Sequence, residues 1–199
     1  MSPEPAGKKW AERLSAATRL PLIAAPLFLG VGIATDGVAG ALWGLFCLFL
    51  TSGLSLLYLL YLMGAGKVRD ARRIPQSERV RPLWVVAGLH AGAFLAVAVL
   101  DAPAALKAIL LSYALATVLF ALLTPLTNLS LHTAGVSGAA VCLAYVFGPW
   151  GALAAFVVPP VWWARTVLRR HTQLQLAAGV LVGAGGTWVA FELVGRIWP

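Results

Sequence analysis

Charge is scarce in this chain of 199 residues: 11% of positions are Asp, Glu, Lys or Arg, while 60% are hydrophobic. Mean hydropathy is +0.86. The shortage excludes a water-soluble domain, whose core cannot absorb so much apolar surface. Period-two alternation is missing too, and the apolar runs are too long for barrel strands, which excludes a transmembrane β-barrel. Cysteine is limited to Cys47 and Cys142, both inside apolar runs and with no CxxC pair. They read as packing residues, so neither a disulfide nor a metal site is expected. No small-residue cleavage site separates the first apolar run from the second, so a removable signal peptide is not expected either.

What remains is an all-α, polytopic transmembrane helical bundle of about six to seven spans. The apolar runs fall at about 20–35, 38–64, 83–100, 104–124, 132–148, 150–168 and 171–197. Thr35-Asp36-Gly37, Asp101-Ala102-Pro103 and Gly148-Pro149-Trp150-Gly151 separate them with residues that stop and cap helices. Were 132–164 a single crossing, His132 and His171 would face opposite compartments. Residues 1–19 form an N-terminal interfacial segment, in which 8–19 has the spacing of an amphipathic helix, and 20–199 form one transmembrane domain. Gly179 and Gly183, four apart, predict close helix packing. Trp162, Trp163 and Trp198 fit an interfacial belt. Pro159-Pro160 predicts a kink that opens space nearby.

Of the 15 Lys and Arg, this threading leaves only Lys107 and Arg196 on the side away from the N-terminus. The positive-inside rule makes the crowded side cytoplasmic, and the basic face would attract anionic headgroups.

Three polar clusters interrupt the apolar chain, all on that side: Glu78-Arg79-Val80-Arg81-Pro82, then Ser130-Leu131-His132, then Arg165 with His171 six positions on. Arg79 and Arg81 enter the third span at a proline. Guanidinium forks match phosphate oxygens and stay charged. Ser130 and the helix start after it form an anion cradle. One imidazole can attack phosphorus while a second protonates the leaving alkoxide. His90, apart from the clusters, reads as packing or a hydrogen bond.

In this order the clusters resemble the type 2 phosphatidic acid phosphatase (PAP2) superfamily, a divergent bacterial membrane branch of it. That family carries Lys-x6-Arg-Pro, then Pro-Ser-Gly-His, then Ser-Arg-x5-His-x3-Asp. Here Arg81-Pro82, Ser130-x-His132 and Arg165-x5-His171 match; the chain has Ile74 at the lysine position, Ala164 for serine and Gln175 for aspartate. The resemblance implies a lipid phosphatase acting on a phosphate monoester or diphosphate through a phosphohistidine. It makes His171 the nucleophile and His132 the general acid. Arg165 would be catalytic, with Arg79, Arg81 and Ser130 holding the phosphate, Arg73 (or Arg72) doing so in place of the lysine, and Gln175 orienting His171. The expected partners are the lipid phosphate substrate and the bilayer, with no cofactor, metal or nucleic acid. The expected location is the bacterial inner membrane, with the site facing the cytoplasm. Two other classes are open. One is a catalytically degenerate relative that binds or carries an anionic lipid. The other is a haem protein using His132 and His171 as axial ligands.

Overall fold

The computed structural model describes residues 6–68 and 75–198. Every regular element among them is helical: α1 (Ala6–Ala17), α2 (Leu20–Leu48), a π-helical stretch (Phe49–Gly53), α3 (Leu54–Gly64), α4 (Gln76–Val99), α5 (Ala104–Leu123), α6 (Leu131–Ala152), a 3₁₀ stretch (Leu153–Val157), α7 (Val158–Val167) and α8 (Gln173–Ile197). Five stretches are long and apolar enough to cross a membrane: Leu20–Gly64, Glu78–Val99, Ala104–Leu123, Leu131–Val167 and Gln173–Ile197. They mark an integral membrane protein.

The two longest stretches fold back on themselves. In α2 the helix breaks at Asp36 (φ −150°, ψ 29°) and Gly37 (φ 54°, ψ −130°). A Cβ on Gly32 would strike the Gly40 carbonyl, and one on Gly44 the Phe28 carbonyl. In an unbroken helix residues eight apart lie about 12 Å from each other along the axis. Such contact therefore requires a hairpin about position 36. The same happens at Gly148 (φ 60°, ψ −139°), where a Cβ on Gly151 would strike the Leu143 carbonyl. Both glycines take backbone angles closed to residues with a Cβ.

Helices α6 and α8 run parallel in constant register. Thr133 Oγ1 donates to the Leu176 carbonyl at 3.1 Å, and one turn on Ser137 Oγ donates to the Val180 carbonyl at 3.2 Å. Gly179 and Gly183 let the backbones approach, since a Cβ at either would meet the backbone of Ser130 or Ala134. The expected packing role of this glycine pair is thus found. Small residues and interhelical hydroxyls hold helices together where lipid offers no hydrophobic drive. Two parallel helices joined through α7 need α7 to run back, which brings Arg165 and His171 to the end where α6 begins.

Helix α4 starts at Gln76, earlier than the expected 83, with Pro82 inside it. Its first turn is fastened by Gln76 Nε2 to the Thr124 carbonyl at 2.5 Å. Phe28, Val31, Val97, Leu106, Ile109 and Leu110 form the main core between α2, α4 and α5. His90 is buried there between Thr117 Oγ1 (2.7 Å) and Ser55 Oγ (3.4 Å), as a hydrogen-bonded core residue. At the end away from Arg165, Lys107 is buried, 2.6 Å from the Asp101 carboxylate and 4.7 Å over the Trp198 ring.

Candidate functional site: a histidine–arginine cluster

Four segments far apart in sequence converge at the end of the bundle where α4 and α6 begin. They are the end of α1, the start of α4, the 124–130 connection with the start of α6, and the turn from α7 to α8. Each side chain is positioned by a helix terminus. Ser130 caps α6 by accepting from the Thr133 amide at 3.4 Å. Thr172 caps α8 in a capping box with Gln175: the Thr172 amide donates to Gln175 Oε1 at 3.1 Å, and the Gln175 amide to Thr172 Oγ1 at 3.3 Å. Two orphan amides are satisfied reciprocally, which holds His171 just outside the helix.

His171 Nδ1 lies 3.1 Å from the Asn128 carbonyl oxygen. A carbonyl only accepts, so Nδ1 carries the proton and Nε2 presents its lone pair. Arg165 Nη2 donates to that Nε2 at 3.2 Å. Burial, and then the Arg165 charge, push the His171 imidazole below its ordinary value of 6.5; the Asn128 carbonyl and the Gln175 side chain pull the other way. The neutral tautomer is therefore the resting form at pH 7.

Arg165 also donates from Nη1 to Ser15 Oγ at 2.8 Å. His132 Nε2 donates to the Ser15 carbonyl at 3.1 Å. Ser15 thus bridges the two groups from α1. Arg79 Nη1 donates to Asn128 Oδ1 at 2.8 Å, so Asn128 links the first and third clusters through its side chain and its carbonyl.

Arg165 makes no ion pair with a carboxylate among the described residues. Its Nε is buried without any hydrogen-bond partner among those residues. A buried donor left unmatched costs about 1–3 kcal/mol, and a half-buried cation without a counter-charge adds to that. An oxyanion would relieve both.

The other expected residues are placed less directly. Arg81 is exposed on α4: two positions past Arg79, it points to nearly the opposite side of the helix. Ser130 is fully buried, and its hydroxyl is engaged as the α6 cap. Gln175 lies beside His171, but the Nδ1 proton goes to the Asn128 carbonyl. Arg72 and Arg73 fall outside the described residues. Asn128 and Ser15 were not singled out in the sequence; both are small polar residues at helix ends, and nothing local distinguishes them from ordinary caps.

An apolar groove of about 470 Å³ adjoins the cluster, lined by Val158, Pro159, Trp162, Trp163, Thr166 and Gln173. Pro159 and Pro160 sit in the first turn of α7, where a proline costs least. Trp162 Nε1 donates to Gln173 Oε1 at 2.6 Å, tying the groove wall to the start of α8 two residues past His171. No family model, curated protein or solved structure matches the chain.

Proposed function

We propose that the protein is an integral membrane lipid phosphatase, cleaving a lipid phosphate monoester or diphosphate through a phosphohistidine. The observation that carries this reading is Arg165. It is a half-buried guanidinium with, among the described residues, one unmatched donor and no carboxylate partner, held against the lone pair of a neutral, oriented His171.

In this mechanism the phosphate sits among Arg165 and Arg79. His171 Nε2 bonds to phosphorus as the bond from phosphorus to the ester oxygen breaks, and His132, which takes up a proton from water when the phosphate's negative charge arrives beside it, gives that proton to the leaving alkoxide. Water then attacks the phosphohistidine and passes a proton to His132; phosphate departs and His171 is restored. The arginines supply charge where it develops in the transition state. The hydrocarbon tail follows the groove along α7.

The hairpins at Gly37 and Gly148 support a threading of seven crossings, with the cluster on the side that holds most of the Lys and Arg, hence cytoplasmic. Phosphate release from a panel of lipid phosphates, wild type beside His171→Ala, tests the reading. Release lost in the variant supports it, and release that is equal in both, or absent from both, rejects it.

A second reading, a relative that binds an anionic lipid without cleaving it, has one observation in its favour. The Nδ1 partner of His171 is a neutral carbonyl, which steadies a developing imidazolium less than a carboxylate does. Lipid binding that survives His171→Ala, with no phosphate release from either protein, selects it.

A further inference from the structure

Two of the donors that the proposed mechanism directs at the substrate, one from Arg165 and one from His132, both end on one residue of α1. His132 Nε2, the atom that carries the transferable proton, donates to the Ser15 carbonyl at 3.1 Å. Arg165 Nη1 donates to Ser15 Oγ at 2.8 Å. Ser15 therefore presents two oxygens where a phosphate would present its own. The Nε of Arg165, shut in without an acceptor, marks what this arrangement leaves unsatisfied.

Helix α1 packs chiefly on α7, and its fully buried contact residue is the small Ala11, with Thr18 nearly buried just past the helix end. Half-buried Leu14 is the large apolar side chain on a face otherwise made of small residues, so separation exposes limited apolar area. The outward face is of another kind. Lys9, Trp10, Glu12 and Arg13 are exposed, as is Arg19 just before α2; Trp10 is exposed to 64%, and the Arg13 guanidinium lies 5.3 Å over the Trp10 ring. A tryptophan framed by excess positive charge is the composition of a helix that binds an anionic lipid surface.

The geometry points to α1 as a removable stopper: Ser15 occupies the phosphate-binding donors in the closed protein, and docking of the outward face of α1 on an anionic bilayer draws it away. This deepens the phosphatase reading and rests on it. It gives the enzyme a dependence on the charge of the surrounding lipid, separate from the identity of its substrate. Substrate alone competes with Ser15 on unequal terms, because Ser15 is tethered and an approaching headgroup is not.

The test uses full-length protein in vesicles of phosphatidylcholine, with or without phosphatidylglycerol, carrying one fixed fraction of a lipid phosphate monoester. A Ser15→Cys thiol is labelled with a water-soluble maleimide, the native Cys47 and Cys142 being buried. Ala11→Cys is the second reporter should the first misfold. Phosphate release is measured alongside on wild type. The expected result is labelling several-fold faster with the anionic lipid, and release rising with it. Both increases should vanish in Lys9→Glu/Arg13→Glu. Equal labelling rates in the two lipids overturn the stopper, and if release continues regardless the phosphatase reading still stands. Labelling that responds to lipid charge while no protein releases phosphate keeps the movement of α1 and removes the phosphatase.

Discussion

His171 gives its Nδ1 proton to the backbone carbonyl of Asn128 at 3.1 Å, so a main-chain oxygen orients the imidazole. A backbone acceptor cannot be recognised from residue types, and it holds the tautomer without adding charge. The lone pair on Nε2 is left toward Arg165.

The pH dependence follows from that environment. Because burial and Arg165 lower the folded-state value of His171 below 6.5, the proposed nucleophile stays neutral at pH 7. The acid limb of phosphate release is expected below pH 6.5. Stability has the same sign: the fold disfavours the protonated ring, so this contribution is intact above pH 6.5 and is lost as pH falls through the lower folded value. Release rates and melting temperatures between about pH 4 and 8, either side of the ordinary imidazole value, with His171→Asn as reference, measure both.

The two arginines of the first cluster are expected to behave differently. Arg79→Ala removes a donor tied to Asn128 and should lower phosphate release about 10- to 100-fold, the value of one charge-assisted hydrogen bond. Arg81→Ala alters an exposed position and should leave release within about threefold, in keeping with a surface change. Steady-state rates on one lipid phosphate decide this.

Helix packing can be tested at the glycines of α8. Gly183→Ala drives a methyl into the backbone of Ala134 and should cost about 1–3 kcal/mol, as overpacking does. Gly185→Ala meets nothing within 4 Å and should be neutral or slightly stabilising. Melting temperatures in one detergent compare them.

The hairpin at Gly148 depends on a positive φ of 60° with ψ −139°. Gly148→Ala forces an L side chain into that region and should destabilise by about 1–3 kcal/mol. The Cβ itself meets no neighbour, so any loss reports backbone strain and not crowding. Thermal unfolding of the variant beside wild type reads it.

The groove along α7 should matter only to substrates with a tail. Trp162→Ala removes a wall and its bond to Gln173. It should raise KM for a long-chain lipid phosphate about tenfold, the scale of a few buried methylenes, and leave a short, water-soluble phosphate ester unchanged. The ratio of kcat/KM for the two substrates is the readout.

The turns were legible because their chemistry is local. Asp36-Gly37, Asp101-Ala102-Pro103 and Gly148-Pro149 break the chain where the structure turns, with positive φ at Gly37, Asp101 and Gly148. The start of α4 was not, since Pro82 reads as a helix boundary yet is accommodated inside a helix that Pro75 and Gln76 begin. The nearness of the polar clusters was legible in part: His132, Arg165 and His171 come together around Ser15 and Asn128, and Arg79 reaches them through Asn128. Arg81 was not separable from Arg79 by type, and helical periodicity sends it elsewhere.

By itself the sequence determined that this is a membrane-spanning helical protein, because apolar content and turn residues are properties of composition and near neighbours. It also determined which side chains had chemistry to offer. Only the tertiary structure decided that Ser15, 117 residues from His132 in the chain, sits between that histidine and Arg165, and that a backbone carbonyl orients His171. Both depend on helix ends brought together by packing over long separations. Two small polar residues at helix termini carry no local pattern that could announce such a meeting.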